Sequence, residues 1–407
     1  MDPEQNDLPE NETPPELPDY LKGDADATRS SMLMRLLEPH SAKRVLKVRP
    51  ADLGFAEQQP FPFMALVGQV EMRTALLLAV INPNIGGVLL IGPRGTGKTT
   101  AARGLSGLLP YVQRSRCLYG DPPEQCELMG DDGYCESCRA KLDKPETLTV
   151  LEPVRLVELP LNSRIEDVVG GINERVAIQE NRVRLDRGIL SRADQNILYV
   201  DEVNLLEDEI IDAILDAAAQ GQYTVRRGPM RATYRARFVL IGSMNPEEGN
   251  LRPQILDRFG LRVLVQGLNE PQERLLVYER MVQFRENPRA FIETFFDETI
   301  LAQEDVMVAR ELLPSVKLTK EAQQLGLDLT RRLSIHSQRA EFTMFEAARA
   351  YAAADARVQA TADDLRAVAP LALRMRRSEF IDNFLEAQSG EDQEIMGLIT
   401  QLEAKSR

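Results

Sequence analysis

One short segment constrains this chain more than any other: Gly92-Pro93-Arg94-Gly95-Thr96-Gly97-Lys98-Thr99. It follows an apolar run, Val88-Leu89-Leu90-Ile91, that reads as a buried strand. It leads into a stretch from Lys98 to Leu108 with helix-forming composition and apolar residues at helical spacing. Strand, glycine-rich turn and helix in that order form a phosphate-binding loop. Gly92, Gly95 and Gly97 let the backbone curl so that successive N–H groups point inward, and the helix N-terminus adds positive potential. Lys98 supplies a point charge for the β- and γ-phosphates, and the Thr99 hydroxyl is a hard oxygen ligand for Mg²⁺. Residues Gly92 to Thr99, with Thr100 behind them, form the expected nucleotide-contacting set. A chance match in a glycine-rich turn would lack the flanking strand and helix, and both are present.

At 407 residues and 43% apolar side chains, the chain has room for two or three domains with real cores. A formal net charge of −14 denies it the general electrostatic footprint of a nucleic-acid binder. The acidic N-terminus fits neither a secretory signal nor a transit peptide, and no apolar run has the length of a membrane span. The expectation is a cytoplasmic protein with reduced thiols.

Residues 1–30 are acidic and proline-rich, a composition that cannot bury enough surface to fold alone, and are expected to form a disordered extension. A lead-in segment spans 31–60. From 61 to 268, strand-like runs alternate with helical segments, the pattern of a parallel sheet covered on both faces. The strand candidates are Val88 to Ile91, Val154 to Leu159, Ile197 to Val200, Phe238 to Gly242 and Leu261 to Val265. From 269 to 407 the strands stop, and segments rich in Ala, Leu and Arg predict a separate all-helical domain.

Asn196-Ile197-Leu198-Tyr199-Val200-Asp201-Glu202 is an apolar strand ending in two carboxylates. ATP hydrolysis needs one acid near the Mg²⁺ shell, a role that suits Asp201, and a second to orient or deprotonate water, which suits Glu202. A second strand ends at Asn245, which is placed to bond the attacking water or γ-phosphate, or simply to form the turn before Pro246. Arg258, in Leu256-Asp257-Arg258-Phe259, and Arg252 are candidates for an arginine that neutralises developing charge on a neighbouring subunit's γ-phosphate. A surface salt bridge is the ordinary alternative. Arg339 is the candidate for touching the phosphates of its own subunit, with Arg331, Arg332 and Arg349 competing.

These residues lie in stretches that resemble the magnesium chelatase ATPase subunit I family of AAA+ proteins. The likeness runs through PFPFMALVGQVEMRTALLLAVINPNIGGVLLIGPRGTGKTTAARGLSGLLP, LPLNSRIEDVVGGINERVAIQ, ILYVDEVNLLEDEIIDAILDAAAQGQ and GSMNPEEGNLRPQILDRFGLRV, and returns more weakly near VAPLALRMRR. The resemblance implies an AAA+ core followed by a helical lid, assembled into a homo-oligomeric ring that is expected to be a hexamer. It implies work with a partner subunit carrying a metal-adhesion domain, and with a large porphyrin-binding subunit that inserts Mg²⁺ into protoporphyrin IX. Lys98 and Thr99 match the family's phosphate loop, and Asp201 and Glu202 its acidic pair. Asn245 matches the sensor on the neighbouring strand, Arg258 the trans-acting arginine and Arg339 the lid sensor. Val67, Gly68 and Gln69 fall where the family's backbone meets the adenine.

The chain departs from the pattern at Cys117, Cys126, Cys135 and Cys138, its only cysteines, where the family usually has a cysteine-free Asp-Pro-rich loop. Four thiols can close a tetrahedral structural Zn²⁺ site, although the first pair is spaced more widely than usual. Redox or catalytic thiols, or cysteines with no special role, are the alternatives. Two other functions share the ATPase core. One is a related AAA+ ATPase serving another metal-insertion or cofactor-loading complex. The other is a ring helicase, against which the acidic balance and the missing basic-aromatic platform count.

Overall fold

The computed structural model describes residues 59–115, 149–172, 187–228 and 230–378, together with Leu33, Leu185, Ile395 and Met396. The acidic extension, nearly all of the lead-in segment and the four cysteines lie outside the described residues.

Eleven strands occur among the described residues: β1 (Val88–Ile91), β2 (Val112–Ser115), β3 (Thr149–Glu152), β4 (Leu156–Leu159), β5 (Ile197–Val200), β6 (Gln222–Arg227), β7 (Met230–Arg235), β8 (Val239–Met244), β9 (Leu261–Leu264), β10 (Lys317–Leu318) and β11 (Gln359–Ala360). Five of them form one sheet in the order β4-β5-β8-β1-β9, with every pairing parallel. A parallel sheet is buried on both faces, so its strands need apolar residues at every position rather than at alternate ones. β1 and β5 meet that demand. Val88, Leu90, Ile197 and Tyr199 enter one core cluster, while Leu89, Ile91, Leu198 and Val200 enter the other.

The expected five strands are these five, with ends shifted by a residue or two. Two antiparallel hairpin pairs, β2–β3 and β6–β7, were not expected. Gln222 to Arg235 is polar and arginine-rich, with Tyr223 and Val225 as its buried residues, so it lacks the continuous apolar signal of the central strands.

After β9 the described chain is helical except for the two-residue parallel pair β10–β11. Its longest helices are Pro271–Glu286, Phe296–Leu312 and Arg339–Ala354. Alanines 347, 348, 350, 352, 353 and 354 are all fully buried. Small side chains there allow close packing against the Ala362–Leu373 and Val70–Ile81 helices, which the Arg339–Ala354 helix contacts.

Charged contacts fasten the helical part to the sheet. Arg262 on β9 is fully buried, and its guanidinium donates to the Leu256 and Arg374 carbonyls. Burial, with Arg376 adding repulsion, pulls the Arg262 pKa down to about 9. Arg376 in turn donates to Asp257 Oδ1 at 2.6 Å, and Ser337 Oγ donates to Asp257 Oδ2 at 2.7 Å. The residue beside Arg258 is therefore the acceptor that clamps the end of the helical part.

Candidate nucleotide site

Register puts the phosphate loop and the acidic pair at one edge of the sheet. Ile91 pairs with Met244 across β1 and β8, and Val200 pairs with Gly242 across β5 and β8. Gly92 N–H then donates to the Met244 carbonyl at 3.0 Å, carrying the pairing one residue beyond the strand. The residues that follow these strand ends, Gly92 to Thr99, Asp201 with Glu202, and Asn245, converge at the carboxyl edge, where ligands of open α/β sheets bind.

A cavity of about 710 Å³ opens there, lined by residues 94–100, Asp201, Glu202, Ser243 and Asn245. Gly95 and Gly97 hold φ of 80° and 85°, and a Cβ on either would meet nothing within 4 Å. The loop is thus an open backbone cradle. Gly92 has a different reason to be glycine, because a Cβ there would strike the Val265 carbonyl. Lys98 is largely buried, and its Nζ donates to the Gly92 and Pro93 carbonyls at 2.6 and 2.8 Å. Desolvation pulls its pKa down, opposed by the field of Asp201.

Two hydroxyls tie the loop to the acidic pair. Tyr199 OH lies 2.9 Å from Thr99 Oγ1 and donates to Asp201 Oδ1 at 3.0 Å. Ser243 Oγ donates to the same Asp201 oxygen and accepts from the Glu202 N–H at 3.2 Å. Burial pushes the Tyr199 hydroxyl up to about 12, so it is a neutral donor at physiological pH. Glu202 sits at φ 48°, ψ 53°, a left-handed conformation that costs a β-carbon residue about 1 kcal/mol. Neither Tyr199 nor Ser243 stands out in the sequence. A signal exists for Tyr199: it precedes Asp201 by two residues, and period two puts both side chains on one side of the strand.

Asn245 is buried, and its Oδ1 accepts the Glu247 N–H at 3.3 Å. It forms the turn and also lines the cavity, leaving its amide donors for a phosphate or water. Val67 and Gln69 line the far end of the cavity beside Phe61, Ala65 and Met72. Gly68 and Gln69 are both left-handed, with φ 59° and 52°, and Gln69 Nε2 donates to the Gln266 carbonyl at 2.6 Å. The Thr99 hydroxyl and Asp201 carboxylate are the hard oxygen donors Mg²⁺ prefers, and the glycine cradle fits phosphate oxygens, so the residues fit Mg-ATP.

The two candidate arginines lie elsewhere. A larger cavity, about 830 Å³, is lined by Asn84 to Gly86, Asn196, Phe238 and Val239, which mark the amino edge of the sheet. Arg258 and Arg339 both line this cavity and not the phosphate cavity. Arg258 Nη1 lies 3.0 Å from both Asp212 and Asp216, and Arg252 pairs with Asp208 at 2.5 Å. Arg339 was expected at the phosphates of its own subunit. The structure places it across the sheet from them, in the same cavity as Arg258, because the Arg339–Ala354 helix packs against the Pro83–Ile85 turn that leads into β1.

Among the described residues no cluster of three or more His, Cys, Asp or Glu is disposed to hold a metal, and no helix is long and apolar enough to cross a membrane. The four cysteines lie outside those residues.

Comparison with known proteins identifies the family. A family model described as magnesium chelatase, subunit ChlI, matches residues 174–269, and one described as an AAA lid domain matches 324–396. A magnesium-chelatase subunit ChlI homolog of Methanocaldococcus jannaschii is 42% identical over 79% of this chain and 87% of its own length. Magnesium-chelatase subunit ChlI of Synechocystis is 40% identical over 78% of this chain and 88% of its own length. A chain from a cryo-EM-based complex of subunits BchI and BchD of magnesium chelatase is 36% identical, covering 81% of this chain and all of that one, with a TM-score of 0.46. With the glycine-rich loop, the carboxylate pair and Asn245 on one sheet edge, and curated relatives of 40–42% identity over most of both chains, the chain belongs to the magnesium chelatase subunit ChlI family of AAA+ ATPases.

Proposed function

We propose that this chain hydrolyses ATP as the ring-forming motor of magnesium chelatase, driving insertion of Mg²⁺ into protoporphyrin IX in (bacterio)chlorophyll biosynthesis. The observation that carries the reading is the division of the site. Lys98, Thr99, Asp201, Glu202 and Asn245 share the carboxyl edge, while Arg258 and Arg339 share the amino edge. An arginine across the sheet from its own phosphates can reach only a neighbouring subunit's nucleotide, which supports a homo-oligomeric ring, read here as a hexamer.

Each residue has a defined task. The loop N–H groups and Lys98 bind the phosphates, Lys98 exchanging its two loop carbonyls for phosphate oxygens. Thr99 and Asp201 would hold the Mg²⁺ that neutralises phosphate charge. Tyr199 and Ser243 orient the Asp201 carboxylate through the hydrogen bonds they donate to it. Glu202 takes the proton of the attacking water, and Asn245 orients that water. Arg258 and Arg339 stabilise the charge that develops on the neighbour's γ-phosphate.

The reading extends to a cytoplasmic assembly with the metal-adhesion partner subunit and the large porphyrin-binding subunit. Relatives such as the Synechocystis protein are named as one subunit of a magnesium chelatase, which supports work within a multi-subunit complex. We assign Cys117, Cys126, Cys135 and Cys138 to a structural Zn²⁺ on their number and grouping. A related AAA+ motor serving a different metal-insertion complex is the second reading. It is favoured by the cysteine segment and by the Methanocaldococcus relative, which bears the name of a homolog only.

The test of the site is Glu202→Gln. The variant should bind ATP like the parent and turn it over at least about a hundredfold more slowly, the scale of losing a general base. Turnover within a few-fold of the parent would refute the assignment.

A further inference from the structure

One cation in the nucleotide cavity has no part in the hydrolytic machinery. Arg274 lies in the first turn of the Pro271–Glu286 helix and lines the phosphate-loop cavity together with Val277 and Met281. Spacings of three and seven residues put these three side chains on one helix face. Met281 packs against the apolar core, and with Phe61, Ala65 and Met72 it makes the inner end of the cavity apolar, suited to a purine. Seven residues along a helix axis cover about 10 Å, so Arg274 lies two turns from Met281, at the exposed end of this face.

The other nearby arginines are committed. Arg94 pairs with Glu202 and Glu248. Arg280 donates to the Ala65 carbonyl at 2.7 Å and lies over the Phe295 ring. The Arg274 guanidinium is exposed and, among the described residues, has no ion pair or hydrogen bond. A guanidinium presents a planar fork of donors that matches phosphate oxygens two at a time.

We propose that Arg274 is a nucleotide-binding residue acting in cis, closing its fork on the polyphosphate of an ATP seated in the phosphate loop. It fills, from the first helix after the sheet, the own-subunit position that Arg339 does not occupy. ATP then bridges the phosphate loop and the helix that leads into the helical part, so binding and release are felt there. The proposal rests on the reading of this cavity as an ATP site.

The test uses full-length Arg274→Ala and Arg274→Lys, with Mg-ATP binding measured by calorimetry and competition by adenosine. Arg274 is exposed, so melting without nucleotide should match the parent. The Ala variant should bind Mg-ATP about tenfold more weakly and adenosine unchanged, with the Lys variant recovering part of the loss. ATP affinity within twofold of the parent in Arg274→Ala, or an equal loss for adenosine, would overturn the phosphate contact. If the parent bound no ATP, or Lys98→Ala left its affinity unchanged, the cavity reading itself would fall, and the Arg274 proposal with it.

Discussion

Arg94 Nη2 donates to Glu202 Oε1 at 2.8 Å, joining the exposed tip of the phosphate loop to the carboxylate assigned as general base. The same guanidinium also pairs with Glu248. The two carboxylates raise the Arg94 pKa, chiefly through the Glu202 hydrogen bond. A base tied to a cation is a poor base, so the proposed role of Glu202 calls for this pair to open, and Glu248 is the alternative partner for Arg94.

Arg94→Ala should therefore raise the basal ATPase rate severalfold. Glu248→Gln, which leaves Arg94 wholly to Glu202, should lower it. Steady-state phosphate release checks both, and a fall in rate for Arg94→Ala would show that the arginine serves the reaction rather than restrains it. Added salt should mimic Arg94→Ala in the parent, because an exposed ion pair is screened.

Arg258 is poised by Asp212 and Asp216 of the Asp208–Gln220 helix, 3.0 Å away, at the edge opposite its own phosphates. Mixing Arg258→Ala subunits with parent subunits should depress the ATPase below the weighted mean of the two, since each variant disables a neighbour's site. Activity that varies linearly with the mixing ratio would contradict action in trans. An arginine that stabilises this developing charge is worth about 10³-fold or more in switch GTPases, so the effect should be visible at modest fractions of variant.

Tyr199 gives the site a signature at high pH. Its pKa is raised by burial from 10.0 to about 12, so the unfolded chain loses this proton first. Stability from the buried neutral hydroxyl is complete below pH 10 and is lost as pH rises through 12, a total on the order of 2–3 kcal/mol. Denaturant midpoints measured from pH 9 to 12 should fall less steeply in Tyr199→Phe than in the parent. Equal slopes would mean that Tyr199 ionises freely in the folded protein.

The sheet and loop were legible because buried parallel strands need unbroken apolar runs, and Val88–Ile91 and Ile197–Val200 have no other ready interpretation. The acidic pair was legible because it follows one of those runs. Tyr199 and Ser243 were hidden by the same rule, since a hydroxyl inside an apolar run reads as filler until the register brings it to Asp201. The sheet edge at which Arg339 lies is not legible in the sequence. That depends on which sheet edge the helical part packs against, and the packing is set by dispersed contacts such as Arg376 to Asp257 and Arg374 to Glu71. The β6–β7 pair is hidden because β6 alternates buried and exposed residues and β7 is polar and at most half-buried, so neither offers a continuous apolar run.

The central claim is that this chain powers a magnesium chelatase. Purified full-length chain, combined with the metal-adhesion and porphyrin-binding subunits of the chelatase, protoporphyrin IX, Mg²⁺ and ATP, should generate Mg-protoporphyrin fluorescence that disappears with Glu202→Gln. No product with this chain, alongside product when an authentic subunit I replaces it, would contradict the claim and leave a related AAA+ motor whose partner complex is a different one.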